Sequence, residues 1–210
     1  MQARRAQARR AILDSAWRLA SGSGLDALSL REIAASVGMR APSLYSYFPN
    51  KAAILDALFI DGYHALDIRI AEVVEALPAK ASPGQRLGRL LRAWVGFCQA
   101  DPARYQLLFT SAVPGWQPSA DAYAASLASY ARLCDYLALA GITDPDDVDL
   151  CTALSAGLIA QQMANDPHGD RWLRRGDQHV HQIHQPPPTP PRPAPPHPPQ
   201  DTKKHHPTPP

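Results

Sequence analysis

Residues 29–51 read SLREIAASVGMRAPSLYSYFPNK, and the reading of this stretch decides the fold. Ser29 followed by Glu32 has the form of a capping box, and Leu28 with Ile33 stands where a hydrophobic staple would close across it. A helix is therefore expected to start at Leu30. Gly38 should end it, because glycine takes a left-handed backbone without a steric penalty. Between them Ile33, Ala34 and Val37 form an apolar stripe, and Ala34 is small enough to let a second helix cross closely. That second helix is expected from Pro42, a residue suited to the first helical position, to about Tyr47. Leu44 and Phe48 would face inward at i and i+4. Pro49 and Asn50 stop it, and Asn50 is placed to cap a third helix. Two short helices joined by about four residues, with Gly at the bend, make a helix-turn-helix, whose second helix enters the DNA major groove.

Two local features favour DNA over mere packing. Ala41 is the expected cap of the second helix and caps poorly, which leaves the first amides for another acceptor such as a phosphate. Lys51 falls in the first turn of the next helix, where the helix dipole disfavours a cation and a nearby phosphate would reverse that sign. The outward face adds Arg40, Ser43, Tyr45, Ser46 and Tyr47, whose hydroxyls, rings and charge suit phosphates, sugars and thymine methyls. The competing reading is a small solvated three-helix unit with ordinary half-buried tyrosines.

Charge is distributed in agreement with the first reading. Residues 1–51 carry eight Lys/Arg against three acids, a net of +5, while the remainder has a net of −3. A basic head on a mildly acidic body suits a polyanion-binding unit carried by a non-binding domain. The 45% hydrophobic content is enough for a buried core. Cys98, Cys134 and Cys151 are odd in number and form no C-x-x-C, so free buried thiols in a reducing compartment are expected. The basic N-terminus is followed by no signal-peptide stretch, and no run approaches the roughly 18 apolar residues of a membrane span. A cytoplasmic protein without membrane contact is the expectation.

The stretch running on to AAILDAL resembles the tetracycline-repressor (TetR) family of bacterial regulators, from about residue 9 to 60. The resemblance includes the leading helix ARRAILDSAWRLASGSGLDAL, the Leu44-Tyr45-Tyr47-Phe48 pattern and the Asn50-Lys51 junction. It implies an all-helical, homodimeric, ligand-responsive regulator, usually a repressor, acting on a double-stranded DNA operator. It also implies DNA contacts from Ser29, Arg31, Arg40, Ala41, Pro42, Ser43, Tyr45, Ser46, Tyr47 and Lys51. Arg4, Arg5 and Arg9 would add an arm on the DNA backbone or a non-specific attraction.

The whole chain is expected to be all-α, because no segment alternates like a strand. The division is a helix-turn-helix domain at 1–51, a helical ligand-binding and dimerisation domain at 52–184, and a disordered Pro/His-rich tail at 185–210. Helices are expected near 51–77, 84–100, 103–111, 118–140, 146–164 and 169–184, bounded by Pro and Gly breaks. Asp144-Pro145-Asp146-Asp147 supplies a cap, a first-turn Pro and first-turn acids to the penultimate helix. Residues 186–210 hold 13 of the 22 prolines and no aromatic residue, a composition that cannot bury a core.

An effector pocket is expected among the central helices, with Trp94, Phe97, Tyr105, Phe109, Trp116 and Tyr123 as candidate lining residues. Packing in the core is the alternative role for each. Gln161 and Gln162 either orient a ligand or face solvent. The last two helices would pair two subunits. The first offers Val148, Cys151, Leu154 and Leu158 together with small Ala153, Ala156, Gly157 and Ala160, while the second has only Val180 and Ile183 apolar after Leu173. No nucleophile elbow, Gly-rich phosphate loop or H-E-x-x-H is present, so no catalytic residue, cofactor or enzyme activity is expected. Six of eight histidines lie at or beyond His179, and no metal role is expected for them. Two rival readings remain: a monomeric or dimerisation-impaired regulator whose proline tail recruits a protein, and a helical ligand carrier or enzyme without DNA affinity.

Overall fold

The computed structural model describes residues 2–110 and 112–176. The expected proline tail, and the last expected helix beyond residue 176, lie outside the described residues. Within them the chain is all-α. The helices are α1 (Gln2–Ser23), α2 (Leu30–Ser36), α3 (Ala41–Tyr45), α4 (Lys51–Glu75), α5 (Pro83–Ala100), α6 (Pro102–Phe109), α7 (Ala120–Leu139) and α8 (Pro145–Asn165). A further helical run covers residues 171–176.

The ends of these helices follow local chemistry. Asn50 accepts a hydrogen bond from the Ala53 amide at 2.9 Å and so caps α4, as its position suggested. Asp144 caps α8 through the Asp146 amide, followed by Pro145 and the two first-turn acids. Asp101 and Ser119 cap α6 and α7 in the same way. At α2 the expected capping box does not form. Ser29 has the extended backbone of a cap, but its side chain makes no cap bond. The staple residues Leu28 and Ile33 are both buried in one core, so hydrophobic contact rather than a side-chain cap sets this helix start. A complete capping box does occur at α5, where Ser82 and Gln85 exchange side-chain bonds to each other's backbone.

Gly38 adopts φ +68° and closes α2. Its amide bonds the Ala35 carbonyl at 3.1 Å, and the Met39 amide bonds the Ala34 carbonyl at 2.9 Å. This pair of reversed bonds is a Schellman motif, and it satisfies carbonyls that the helix end leaves open.

One apolar cluster runs through the molecule. It joins Ile12, Ala16 and Trp17 of α1 to Ile33, Ala34, Leu44 and Phe48, then to Ile54, Leu55 and Leu58 of α4. It continues without a gap to Leu107 and Leu108 of α6 and Ala122 of α7. Each fully buried Leu, Ile or Phe contributes about 1.5–3 kcal/mol of hydrophobic stabilisation. Helix α4, about 37 Å long at 1.5 Å per residue, is therefore the shared beam under both ends. Gly62 lets α6 approach it: a Cβ there would stand 3.0 Å from a Leu108 methyl. A second cluster, Leu91, Val95, Cys98 and Ile159, holds α8 against α5. All three cysteines are free, and only Cys98 is fully buried, where burial pushes its thiol up to about 12.

Candidate nucleic-acid interface and effector cleft

The three N-terminal helices present α3 on the outside of the small core. Leu44 and Phe48 point inward and are fully buried. Pro42, Ser43, Tyr45 and Ser46 are exposed, with Tyr45 at 48%, and Tyr47 is half-buried. The cap of α3 is Arg40, one residue earlier than Ala41, and it makes no side-chain cap bond. Ala41 is thus the first helical residue. Pro42 has no amide, and the Ser43 amide returns to the Arg40 carbonyl at 2.9 Å. The set of spare amides is smaller than the sequence suggested, because proline removes one donor and a tight turn uses another.

The remaining expected contact residues lie on the flanking elements. Ser29 is the half-buried cap of α2, Arg31 is exposed on its first turn, and Lys51 opens α4. Lys51 Nζ donates to the Asp26 carbonyl oxygen at 2.6 Å. A backbone carbonyl therefore accepts from one N–H of the ammonium, in a place where an anion was expected to be needed. The other two N–H groups remain for a second acceptor.

The N-terminal arginines do something the sequence did not indicate. Helix α1 begins at Gln2, so Arg5 and Arg9 are on a helix rather than an extended arm. Arg5 donates to the Ser46 carbonyl at 3.1 Å, and Arg9 to the Tyr47 carbonyl at 3.4 Å. The Arg9 guanidinium also lies 4.3 Å from the Phe48 ring centre, and that of Arg5 5.4 Å from Tyr47. Both cations thus sit at the negative C-terminal end of α3 and support its orientation. No sequence signal pairs residue 5 with residue 46; the two meet only in the folded core.

A cleft of about 400 Å³ opens between α4, α6 and α7. Of the candidate residues, Phe109, Trp116 and Tyr123 line it. Trp94, Phe97 and Tyr105 do not. They pack instead around the Cys98–Ile159 cluster, with Trp94 and Tyr105 against the Phe109 ring. Their aromatic character served core packing between α5, α6 and α8, a destination that residue type alone cannot distinguish from a pocket. Phe59 and Tyr63 were missed and are lining residues. Their i, i+4 spacing on α4 was a usable signal. Trp116 Nε1 donates to Asp56 at 3.2 Å, and Tyr63 donates to the Leu108 carbonyl at 3.2 Å.

Gln162 is fully buried rather than solvent-facing. Its amide nitrogen donates to the Asp166 and Gly169 carbonyls, and its oxygen accepts from the Trp172 and Leu173 amides. It joins the end of α8 to the run at 171–176. Gln161 is exposed.

A helix-turn-helix head with an outward-facing second helix, carried on a bundle with an aromatic cleft, is an arrangement in which α3 is free to enter a DNA groove. Residues 12–58 match the model for bacterial regulatory proteins of the tetR family. The chain is 38% identical over 53 residues to the class D tetracycline repressor protein of Escherichia coli, covering 25% of this chain and 24% of the repressor. It is 28% identical over 142 residues to the HTH-type transcriptional repressor KstR of Rhodococcus jostii, covering 67% and 62%. The matched part is thus about a quarter of the tetracycline repressor's length. Among solved structures, a transcriptional regulator from Saccharomonospora viridis in complex with choline superposes with TM-score 0.64 at 21% identity, covering 85% of this chain and 95% of that one. This last likeness is one of fold.

No described helix is long and apolar enough to cross a membrane.

Proposed function

We propose that this protein is a sequence-specific DNA-binding transcription regulator, a repressor relieved by a small-molecule effector. The observation that carries the reading is the exposed face of α3, held between the Gly38 turn and the Asn50 cap over buried Leu44 and Phe48. Ser29, Arg31, Arg40, Ala41, Pro42, Ser43, Tyr45, Ser46, Tyr47 and Lys51 form the DNA-contacting set, with α3 in the major groove. Matches to transcriptional regulators along the chain support a regulator rather than an enzyme.

The functional division falls at residue 51, with recognition before it and effector binding and dimerisation after it. The cleft is the effector site. Helix α6 supports a connection between the two parts: Leu107, Leu108 and Phe109 line the cleft, while Arg104 of the same helix stacks 4.9 Å from the Trp17 ring of α1. An effector that shifts α6 would shift the head through this contact. Two copies pair through α8 and the segment after it. Leu150 and Leu154 of α8 are each 58% exposed, with exposed Ala153, Ala156, Gly157 and Ala160 on the same helix.

Selection of bound fragments from a genomic DNA pool, followed by gel shift at low salt with purified dimer, tests the reading. A discrete specific complex is expected, and its absence sinks the proposal.

A further inference from the structure

We propose that the cleft takes an organic monocation with an apolar body, a quaternary ammonium or a protonated amine, held by aromatic faces and hydroxyl oxygens. This rests on the reading of the cleft as the effector site.

Five rings line the cleft: Phe59, Tyr63, Phe109, Trp116 and Tyr123. Phe59 meets Tyr63 and Trp116 edge-on, with ring centres 4.9 and 5.8 Å apart, and Tyr63 meets Phe109 in the same manner at 6.0 Å. Such rings give a wall of negative π faces, which attract a cation. No Lys, Arg or His is among the described lining residues.

Three hydroxyls and the indole of the wall point to the same sign, with Gln117 and Tyr123 as the remaining side-chain donors. The Tyr63 hydroxyl donates its proton to Leu108, Thr110 to Gln106 and Ser126 to Tyr123, each to a backbone carbonyl. A hydroxyl that has already donated offers a ligand only lone pairs. The indole N–H of Trp116 is used by Asp56. An anion entering the cleft would lose its water and find few donors in return. A cation finds acceptors and π faces.

Asp56 adds charge. It accepts only from neutral donors, Trp116 Nε1 and the Ser119 amide at 3.3 Å, and no described Lys or Arg pairs with it. Asp67, on the same face of α4, is by contrast neutralised by Arg132 at 2.6 Å. The Asp56 carboxylate therefore leaves a net negative charge at the edge of the Trp116 ring, and by accepting its N–H it makes the ring face more electron-rich. The Tyr63 phenol, pushed up to about 12 by burial and then by Tyr123 and Asp67, stays neutral and keeps its oxygen lone pairs.

Calorimetric titration of the full chain distinguishes the sources of affinity. The probes are meta-hydroxyphenyltrimethylammonium, its neutral isostere meta-tert-butylphenol, and the anion meta-tert-butylbenzoate. The ammonium should bind about tenfold tighter than the phenol, as a desolvated cation–π site provides, and the benzoate weakest. Asp56→Asn retains an acceptor for Trp116 and Ser119, so it should keep the phenol's affinity and lose most of the cation preference. Should that variant melt early, Tyr123→Leu removes a half-exposed ring and should likewise weaken the ammonium selectively. Equal or tighter binding of the phenol or benzoate overturns the proposal, as does binding of none of the three. DNA capture is measured without any probe, so loss of cation preference with fragments still retained overturns the ligand class alone. Cation preference without retained fragments overturns the regulator reading instead.

Discussion

Lys51 shows how one residue can serve both the fold and a ligand. Its ammonium reaches the Asp26 carbonyl across the head, which ties the start of α4 to the loop between α1 and α2. That bond engages one of three N–H groups and leaves the positive charge whole. If a phosphate takes the others, Lys51→Ala should weaken binding to specific and non-specific DNA about equally. The slope of log affinity against log salt should fall by about one, measured by fluorescence anisotropy over a salt series. An unchanged slope would assign Lys51 to the fold alone. Gly38 is purely conformational: no atom lies within 4 Å of an added Cβ, yet its φ is +68°. Gly38→Ala should therefore cost about 1–2 kcal/mol through backbone strain alone, seen as a lower midpoint in urea with an unchanged slope.

At the scale of elements, α4 and α6 matter most, because they carry the cleft and touch the head. Their separation is set by Gly62 under Leu108. Gly62→Ala has opposing consequences, a gain in helix propensity against a contact at 3.0 Å. Gly62→Val has no such balance, since its branches would be forced into Leu108. We expect a loss of about 1–3 kcal/mol from overpacking and a clearly lower Tm by calorimetry. A Tm equal to that of the native chain would mean that α6 moves away freely. Gln162 belongs to this scale as well. Its four bonds replace the backbone partners that the end of α8 and the start of the next helical run lack. Gln99 supports the same corner by donating to the Pro167 and Gly169 carbonyls.

At the scale of the whole molecule, the outer face of α8 is exposed among the described residues. Leu150 and Leu154 are both exposed on it, and the small residues Ala153, Ala156, Gly157 and Ala160 along the same helix permit close helix approach. A second copy would bring two recognition helices into one assembly. Leu154→Asp should then shift sedimentation toward the monomer. It should also weaken operator binding at least tenfold, since one head contributes too few contacts alone. It should leave the fold intact, because this side chain contributes little to the core. Unchanged sedimentation would remove α8 from the interface.

The helix-turn-helix was legible from residues 29–51 because its signals are local. A Gly at the bend, a proline in the first turn of α3, an Asn cap and inward Leu44 and Phe48 each act within one or two turns of chain. The helices of the body were legible for the same reason, with ends within a few residues of their Pro and Gly breaks. Side-chain destinations between distant segments were not. Trp94, Phe97 and Tyr105 went to the core while Phe59 and Tyr63 went to the cleft, although all five are aromatic residues on helices. Ser29 and Glu32 had the spelling of a capping box, but the staple residues alone close that helix start. Sequence by itself determined where helices begin, end and turn, because those choices rest on neighbouring backbone groups. Only the tertiary structure decided which faces meet: Arg5 on the end of α3, Asp56 on Trp116, Gln162 between two helices. Those contacts span from ten to sixty residues and depend on how the helices pack.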